Sequence, residues 1–157
     1  MARILVVEDE APLRRIITLN LVRRNHTVIE AESVATAEEA LAAFQDQFDL
    51  ILLDLNLPDQ TGWDVLRTLK RPFNQRLQEG EPARRPAVII ITAGHPARSR
   101  VEEFHPAAVL LKPFPIEALL RLTQRVLGAA PAEVADEEEQ QHLSSEPAPS
   151  QDSWSRE

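Results

Sequence analysis

Five polar residues stand at the ends of short apolar runs in this 157-residue chain. Glu8 and Asp9 follow "RILVV", Asp54 closes the run "DLILL", Thr92 follows "AVIII" and Lys112 follows "AAVLL". A carboxylate at the end of a buried run is unfavourable unless something pairs with it. Three carboxylates converging on one pocket repel, and at least one is driven toward protonation. A hard divalent cation removes that conflict, and Mg²⁺ suits one or two carboxylates together with phosphate oxygens and retained waters. Lys112 adds a compact positive charge suited to phosphate. Asp54 then has the surroundings of a nucleophile that captures phosphorus as an aspartyl phosphate. Cation and lysine would offset charge on the transferring group, the main task of that reaction. Singly, each residue has a plainer meaning: a helix-start acid pair, a loop hydroxyl, a solvated lysine. Their joint placement carries the argument.

That placement depends on the elements. The apolar runs at 3–7, 26–30, 49–53, 87–91 and 107–111 read as strands. Between them lie helical patterns. Pro12 opens the first, in which Leu13, Ile16, Ile17 and Leu21 repeat at helical spacing through Arg24. Ser33 is placed to cap the second, with Ala37, Leu41 and Phe44 inward. The third runs from Gly62 to about Leu69, with Trp63, Leu66 and Leu69 along one face and Trp63 packed on the sheet. Residues 70–86, with three prolines and a glycine, read as a long polar connection holding at most an extra turn around Gln75–Gln78. The fourth helix spans 96–104 and the fifth 115–128, with Pro115 at its start and Gly128 at its end. Its inward stripe is Ile116, Leu119, Leu120 and Leu127. Leu122 and Val126 lie off it, as an association surface or as bulk covered by neighbours. Continuous apolar strands alternating with helices imply an α/β fold, a parallel sheet covered on both faces. Such sheets bind ligands beyond the carboxyl ends of their strands, where the five polar residues fall.

Composition narrows the class. No cysteine is present, which excludes disulfides and thiol chemistry. The apolar start is too short for a signal peptide and no run approaches a membrane span, so the reading is cytoplasmic with no membrane insertion. Of the net charge of −8, eight acids and one base lie from Gly128 onward, leaving 17 acids and 16 bases before it. No basic footprint for nucleic acid exists. Residues 1–128 read as one domain. Residues 129–157 read as a disordered acidic tail, either solubilising or, through "DEEEQQ" and Trp154, partner-binding. His26, His95, His105 and His142 lack metal-ligand spacing.

Together "VVEDE", "LLDLNLPDQTGWDVL", "IITAG" and "LLKPF" resemble the receiver domain of two-component response regulators, of the chemotaxis type. The resemblance covers residues 3 to about 127. It implies a doubly wound, flavodoxin-like fold of five parallel strands in the order 2-1-3-4-5 with five helices. It implies that a histidine kinase or a histidine phosphotransfer protein phosphorylates Asp54. Asp9 would ligate Mg²⁺, Glu8 would help hold it, and Asn56 would offer its backbone carbonyl. Thr92 and Lys112 would engage the phosphoryl group, and the Lys112–Pro113 peptide would be cis. Pro58 and Gly62 would shape the loop after Asp54. The protein would be no enzyme beyond its own Mg²⁺-dependent phosphorylation and dephosphorylation.

The chain departs from the resemblance in three places. Val109 stands where the family commonly has an aromatic switch residue, so output would rest on backbone and loop movement. The 70–86 connection is long. The segment from Thr92 to Lys112 is short, on a face that many relatives use to form homodimers. Small residues Ala93 and Gly94 beside Thr92 would leave the phosphoryl site open, so the phosphorylated form should not be unusually long-lived. The leading reading is a stand-alone receiver that signals by phosphorylation-dependent protein binding or relay to an unidentified downstream protein. The alternatives are a phosphorylation-independent adaptor and the first part of a DNA-binding regulator. A phosphatase of the haloacid-dehalogenase type is disfavoured, because Asn56 stands where its second aspartate would be.

Overall fold

The computed structural model describes residues 1–44, 47–80 and 84–129. Strands β1 (Arg3–Val7), β2 (Thr27–Ala31), β3 (Leu50–Asp54), β4 (Ala87–Thr92) and β5 (Ala108–Leu111) alternate with α1 (Ala11–Arg23), α2 (Val34–Phe44), α3 (Gly62–Gln78), α4 (Arg98–Phe104) and α5 (Ile116–Gly128). All strand pairs are parallel, and the order is β2-β1-β3-β4-β5.

Alternation along each strand builds two cores. Leu5, Val7, Ile51, Leu53, Val88 and Ile90 face one side, where Val34, Ala37 and Leu41 of α2, Val65 and Leu66 of α3, and Phe104 of α4 cover them. Ile4, Val6, Leu50, Leu52, Ile89 and Ile91 face the other, against Ile17 and Leu21 of α1 and Leu119 and Leu120 of α5. Each such Val, Leu, Ile or Phe, when fully buried, contributes about 1.5–3 kcal/mol. Burial on both faces explains why these strands read as unbroken apolar runs. The central strand β3 is buried throughout, Asp54 included.

Helix ends follow local chemistry. Ser33 caps α2, its Oγ accepting from the Thr36 N–H at 3.1 Å. α4 stops where His105 takes a left-handed conformation (φ 47°) and its N–H bonds the Val101 carbonyl, with Pro106 next. The short α4 has seven residues, starting at Arg98 rather than at 96.

Two further expectations change, for α3 and for Ile16. α3 does not end near Leu69 but runs to Gln78, so most of the supposed connection is helix. Pro72 removes one backbone hydrogen bond, a cost of roughly 3 kcal/mol, yet the run around it is rich in Lys, Arg, Gln and Leu, which favour helix. Trp63 stacks on Phe104 of α4 at 5.5 Å, tying α3 to α4 as well as to the core. Ile16 is 48% exposed, so its place in the helical repeat of α1 marks a flank and not the buried stripe. Leu122 and Val126 pack against the second core. The acidic-tail reading of 129–157 falls, from residue 130 on, outside the described residues, as do His142 and Trp154.

Thr123 of α5 is 2% exposed, and its Oγ1 has no hydrogen-bond partner among the described residues. A buried hydroxyl without a partner is destabilising. Thr123→Val should therefore raise unfolding stability by about 1 kcal/mol, read from denaturant or thermal melts. A loss of stability would show that the hydroxyl is satisfied.

Candidate phosphoryl and metal site

The order β2-β1-β3 sends the chain in opposite directions from β1 and β3, which opens a crevice at their carboxyl ends. Glu8 and Asp9 leave β1 there, and Asp54 ends β3. One ligand oxygen from each lies within 4.8 Å of the other two. Glu8 is 1% exposed and Asp54 is 2% exposed, while Asp9 sits at the open rim. This is the one group of metal-compatible side chains among the described residues.

Lys112, just after β5, reaches into the crevice. Its Nζ is 2.8 Å from Asp54 Oδ2 and 2.9 Å from Glu8 Oε2, with Glu10 Oε1 further out at 3.8 Å. Its own N–H donates to the Thr92 carbonyl at 2.8 Å, which ties the end of β5 to the end of β4. The Lys112–Pro113 peptide is cis, in line with the resemblance. Asp54 Oδ1 accepts from the Asn56 N–H at 2.9 Å, and Glu8 Oε1 from the Glu10 N–H at 3.1 Å. Thr92 and Asn56 both line a cavity of about 310 Å³ with Thr61, Trp63, Gly94 and His95. The structure thus gathers Glu8, Asp9, Asp54 and Lys112 directly, with Thr92 and Asn56 on the adjoining cavity.

The charges of the site bear on whether a cation fits it. Burial pushes the Glu8 carboxyl up from its ordinary 4.5 to about 7, the repulsion of Asp54 adds to this, and bonds from Lys112 and the Glu10 amide hold it back. For Lys112, burial acts to lower the pKa, but the hydrogen bonds and charges of Asp54 and Glu8 outweigh it and the net direction is upward. The ammonium is therefore locked in its charged form. With all three carboxyl groups ionised, one ammonium would leave two negative charges, the charge a dication would balance. A buried carboxylate that resists ionisation until another cation arrives is the feature of this structure that Mg²⁺ fits.

Two features of the loop after Asp54 hold it in shape. A Cβ on Gly62 would lie 2.3 Å from the Asp54 carbonyl oxygen, so only glycine permits this approach. Asp59, which the sequence reading passed over, reaches across to α2. Its Oδ1 accepts from the Val34 N–H at 2.9 Å and its Oδ2 from the Ala35 N–H at 3.0 Å. Ser33 serves the third free N–H of that helix, so the cap is shared between a local residue and a distant one. The only sequence signal was an acid in a Pro-containing loop, which names no partner.

The two backbone N–H bonds hold the Asp59 carboxyl below its ordinary 3.8. A lowered acid pKa gives stability that is present above the unfolded value and is lost as pH falls through the folded one. Asp59→Ala should melt a few degrees below wild type near neutral pH. The gap should close as pH falls below 3.8. Circular dichroism melts across pH check this, and equal midpoints at pH 7 would contradict it.

Residues 4–124 match the family described as response regulator receiver domain. The transcriptional regulatory protein ResD of Bacillus subtilis is 35% identical over 124 residues, which cover 76% of this chain and 46% of ResD. The response regulator ArlR of Staphylococcus saprophyticus is 36% identical over 134 residues, covering 83% of this chain and 54% of ArlR. The chain spans about half the length of these relatives. The non-phosphorylated HemR receiver domain from Leptospira biflexa superimposes with a TM-score of 0.68 at 28% identity, over 84% of this chain and 98% of that one. The chemotaxis protein CheY4 of Vibrio cholerae shares the fold, with a TM-score of 0.64 at 24% identity over 80% of this chain and 98% of its own. On a family match that spans most of its length, the chain belongs to the response regulator receiver domains.

Proposed function

We propose that the domain accepts a phosphoryl group on Asp54 from a phosphohistidine donor, a histidine kinase or a histidine phosphotransfer protein, and passes the signal by phosphorylation-dependent protein binding or relay. The observation that carries this reading is Lys112 Nζ at 2.8 Å from Asp54 and 2.9 Å from Glu8 in a crevice where three carboxyl groups meet one ammonium. Glu8, Asp9 and Asp54, with the Asn56 backbone carbonyl, would hold Mg²⁺. When bound, the ion supplies charge stabilisation to the transferring oxygens. Asp54 attacks phosphorus with one carboxylate oxygen as the donor's phosphorus–nitrogen bond breaks. The acyl phosphate carries up to two negative charges where the carboxylate carried one, and Lys112 is already placed to meet the added charge. The Thr92 hydroxyl, on the cavity beside Asp54, is the donor available to a phosphoryl oxygen.

The family members ResD and ArlR favour a second arrangement of the same chemistry, because each is about twice the length matched here. In it the domain controls a further output region, and DNA contact belongs to that region. The stand-alone reading and this one share the Asp54 chemistry. Reading the gene past codon 157 separates them. Among the described residues no helix is long and apolar enough to cross a membrane.

Incubation with acetyl phosphate and Mg²⁺ should add about 80 Da, one PO₃, in a hydroxylamine-labile form that Asp54→Asn abolishes. No adduct, or an adduct unaffected by Asp54→Asn, would favour the phosphorylation-independent adaptor. A Cβ on Gly94 would meet no atom within 4 Å, so side chains fit there and would project beside the cavity. Gly94→Tyr should slow loss of the phosphoryl group several-fold by crowding the attacking water, measured as decay of the adduct after donor removal. An unchanged half-life would show that water enters elsewhere.

A further inference from the structure

The three residues that separate β1 from α1 carry two of the three carboxylates, and they have few anchors of their own. The Glu8 N–H bonds the Ala31 carbonyl at 3.0 Å, and the Glu10 N–H bonds the Glu8 side chain. Besides the Arg14 N–H, which bonds the Glu10 carbonyl at 2.9 Å, and the Lys112 contact to Glu8, a further anchor comes from the side chain of Arg14, in the first turn of α1. Its Nη1 is 2.7 Å from the Glu8 carbonyl oxygen and 3.5 Å from that of Asp9. The same guanidinium faces Glu30 at 3.6 Å and Glu32 at 3.9 Å, at the end of β2. The Arg14 side chain is only 15% exposed.

Magnitudes decide which of these contacts counts. The two ion pairs are long, and their glutamates are 41% and 68% exposed, so they contribute little. The 2.7 Å bond from a largely covered guanidinium to a carbonyl is charge-assisted and stronger. We propose that Arg14 is a positioning residue for the cation site: by gripping the main-chain carbonyls of Glu8 and Asp9 it sets the direction in which their carboxylates project. The inference rests on the Mg²⁺ reading above. One nitrogen, Nη1, makes both carbonyl contacts from the far end of the guanidinium, one bond beyond the reach of a lysine ammonium, while Nε and Nη2 face the β2 acids.

The sign of the effect separates this role from the two others open to an arginine. A cation next to a cation site repels the ion, so an arginine acting only by charge would weaken Mg²⁺ binding, and its removal would tighten it. A purely structural arginine would lower the melting temperature of the metal-free protein and leave Mg²⁺ affinity alone. Positioning predicts that Arg14→Met and Arg14→Lys both weaken Mg²⁺, on the order of tenfold for Arg14→Met, although lysine keeps the charge. Glu30→Gln/Glu32→Gln should stay within about twofold of wild type, as exposed pairs do.

The test is a calorimetric titration of wild type and each variant with MgCl₂, beside metal-free melts and amide hydrogen exchange at Glu8 and Glu10. Faster exchange at those amides in metal-free Arg14→Lys, with weaker Mg²⁺ binding, supports the proposal. Tighter or unchanged Mg²⁺ binding in both Arg14 variants overturns it, and full retention by Arg14→Lys does the same. If Arg14→Met does not fold, Arg14→Lys decides. Absence of Mg²⁺ uptake by the wild type would instead overturn the site reading itself.

Discussion

A lysine ammonium wedged between two buried carboxylates is the constraint on which this molecule turns. Lys112 lies within hydrogen-bond reach of both Asp54 and Glu8, which are almost wholly removed from water. Such an arrangement is poor for stability alone, since apolar side chains of equal volume would fill the space at no electrostatic cost. It makes sense as a site held short of neutrality. The lysine meets part of the charge, Glu8 resists ionisation, and the remainder is the charge that the proposed dication would meet. The carboxyl of Asp54 is oriented by its bonds to Lys112 and the Asn56 amide.

The rest of the fold delivers these groups to one point. Strict alternation gives each strand two apolar faces, and the change of direction between β1 and β3 leaves their carboxyl ends uncovered. Strand ends hold Asp54 and Thr92, and the residues that follow β1 and β5 hold Glu8, Asp9 and Lys112. Residues outside the strands set the fine geometry. Gly62 lets α3 begin against the Asp54 carbonyl, Asp59 pins the same loop to α2, and Arg14 closes over the carbonyls after β1. The site is therefore supported from both faces of the sheet, by α2 and α3 on one side and α1 on the other.

The strand-end groups were legible in the sequence because each interrupts an apolar run that can be recognised locally. Order along the chain was enough to place them on a common edge. The supporting residues were not legible. Asp59 bonds amides 24 and 25 residues away, and Arg14 acts on carbonyls whose direction is known only once α1 packs. Neither spacing nor residue type announces such contacts. The length of α3 was misjudged for a different reason. Pro72 was weighed as a breaker, while the helix-favouring residues around it outweigh one lost hydrogen bond. Ile16 shows the limit of periodicity: it fits the helical repeat of α1, yet it lies on the flank of the stripe that Ile17 and Leu21 bury. Val109 does face the first core, half-buried, so the position usually given to a rotating aromatic is here part of the packing.

The central claim is that the negative crevice is built to take one divalent ion beside Lys112. Calorimetric titration of the full chain with MgCl₂ at neutral pH tests it most directly. The account predicts uptake of a single ion per chain, lost when Asp54 is replaced by alanine. Absence of binding, or binding that survives that replacement unchanged, would contradict it.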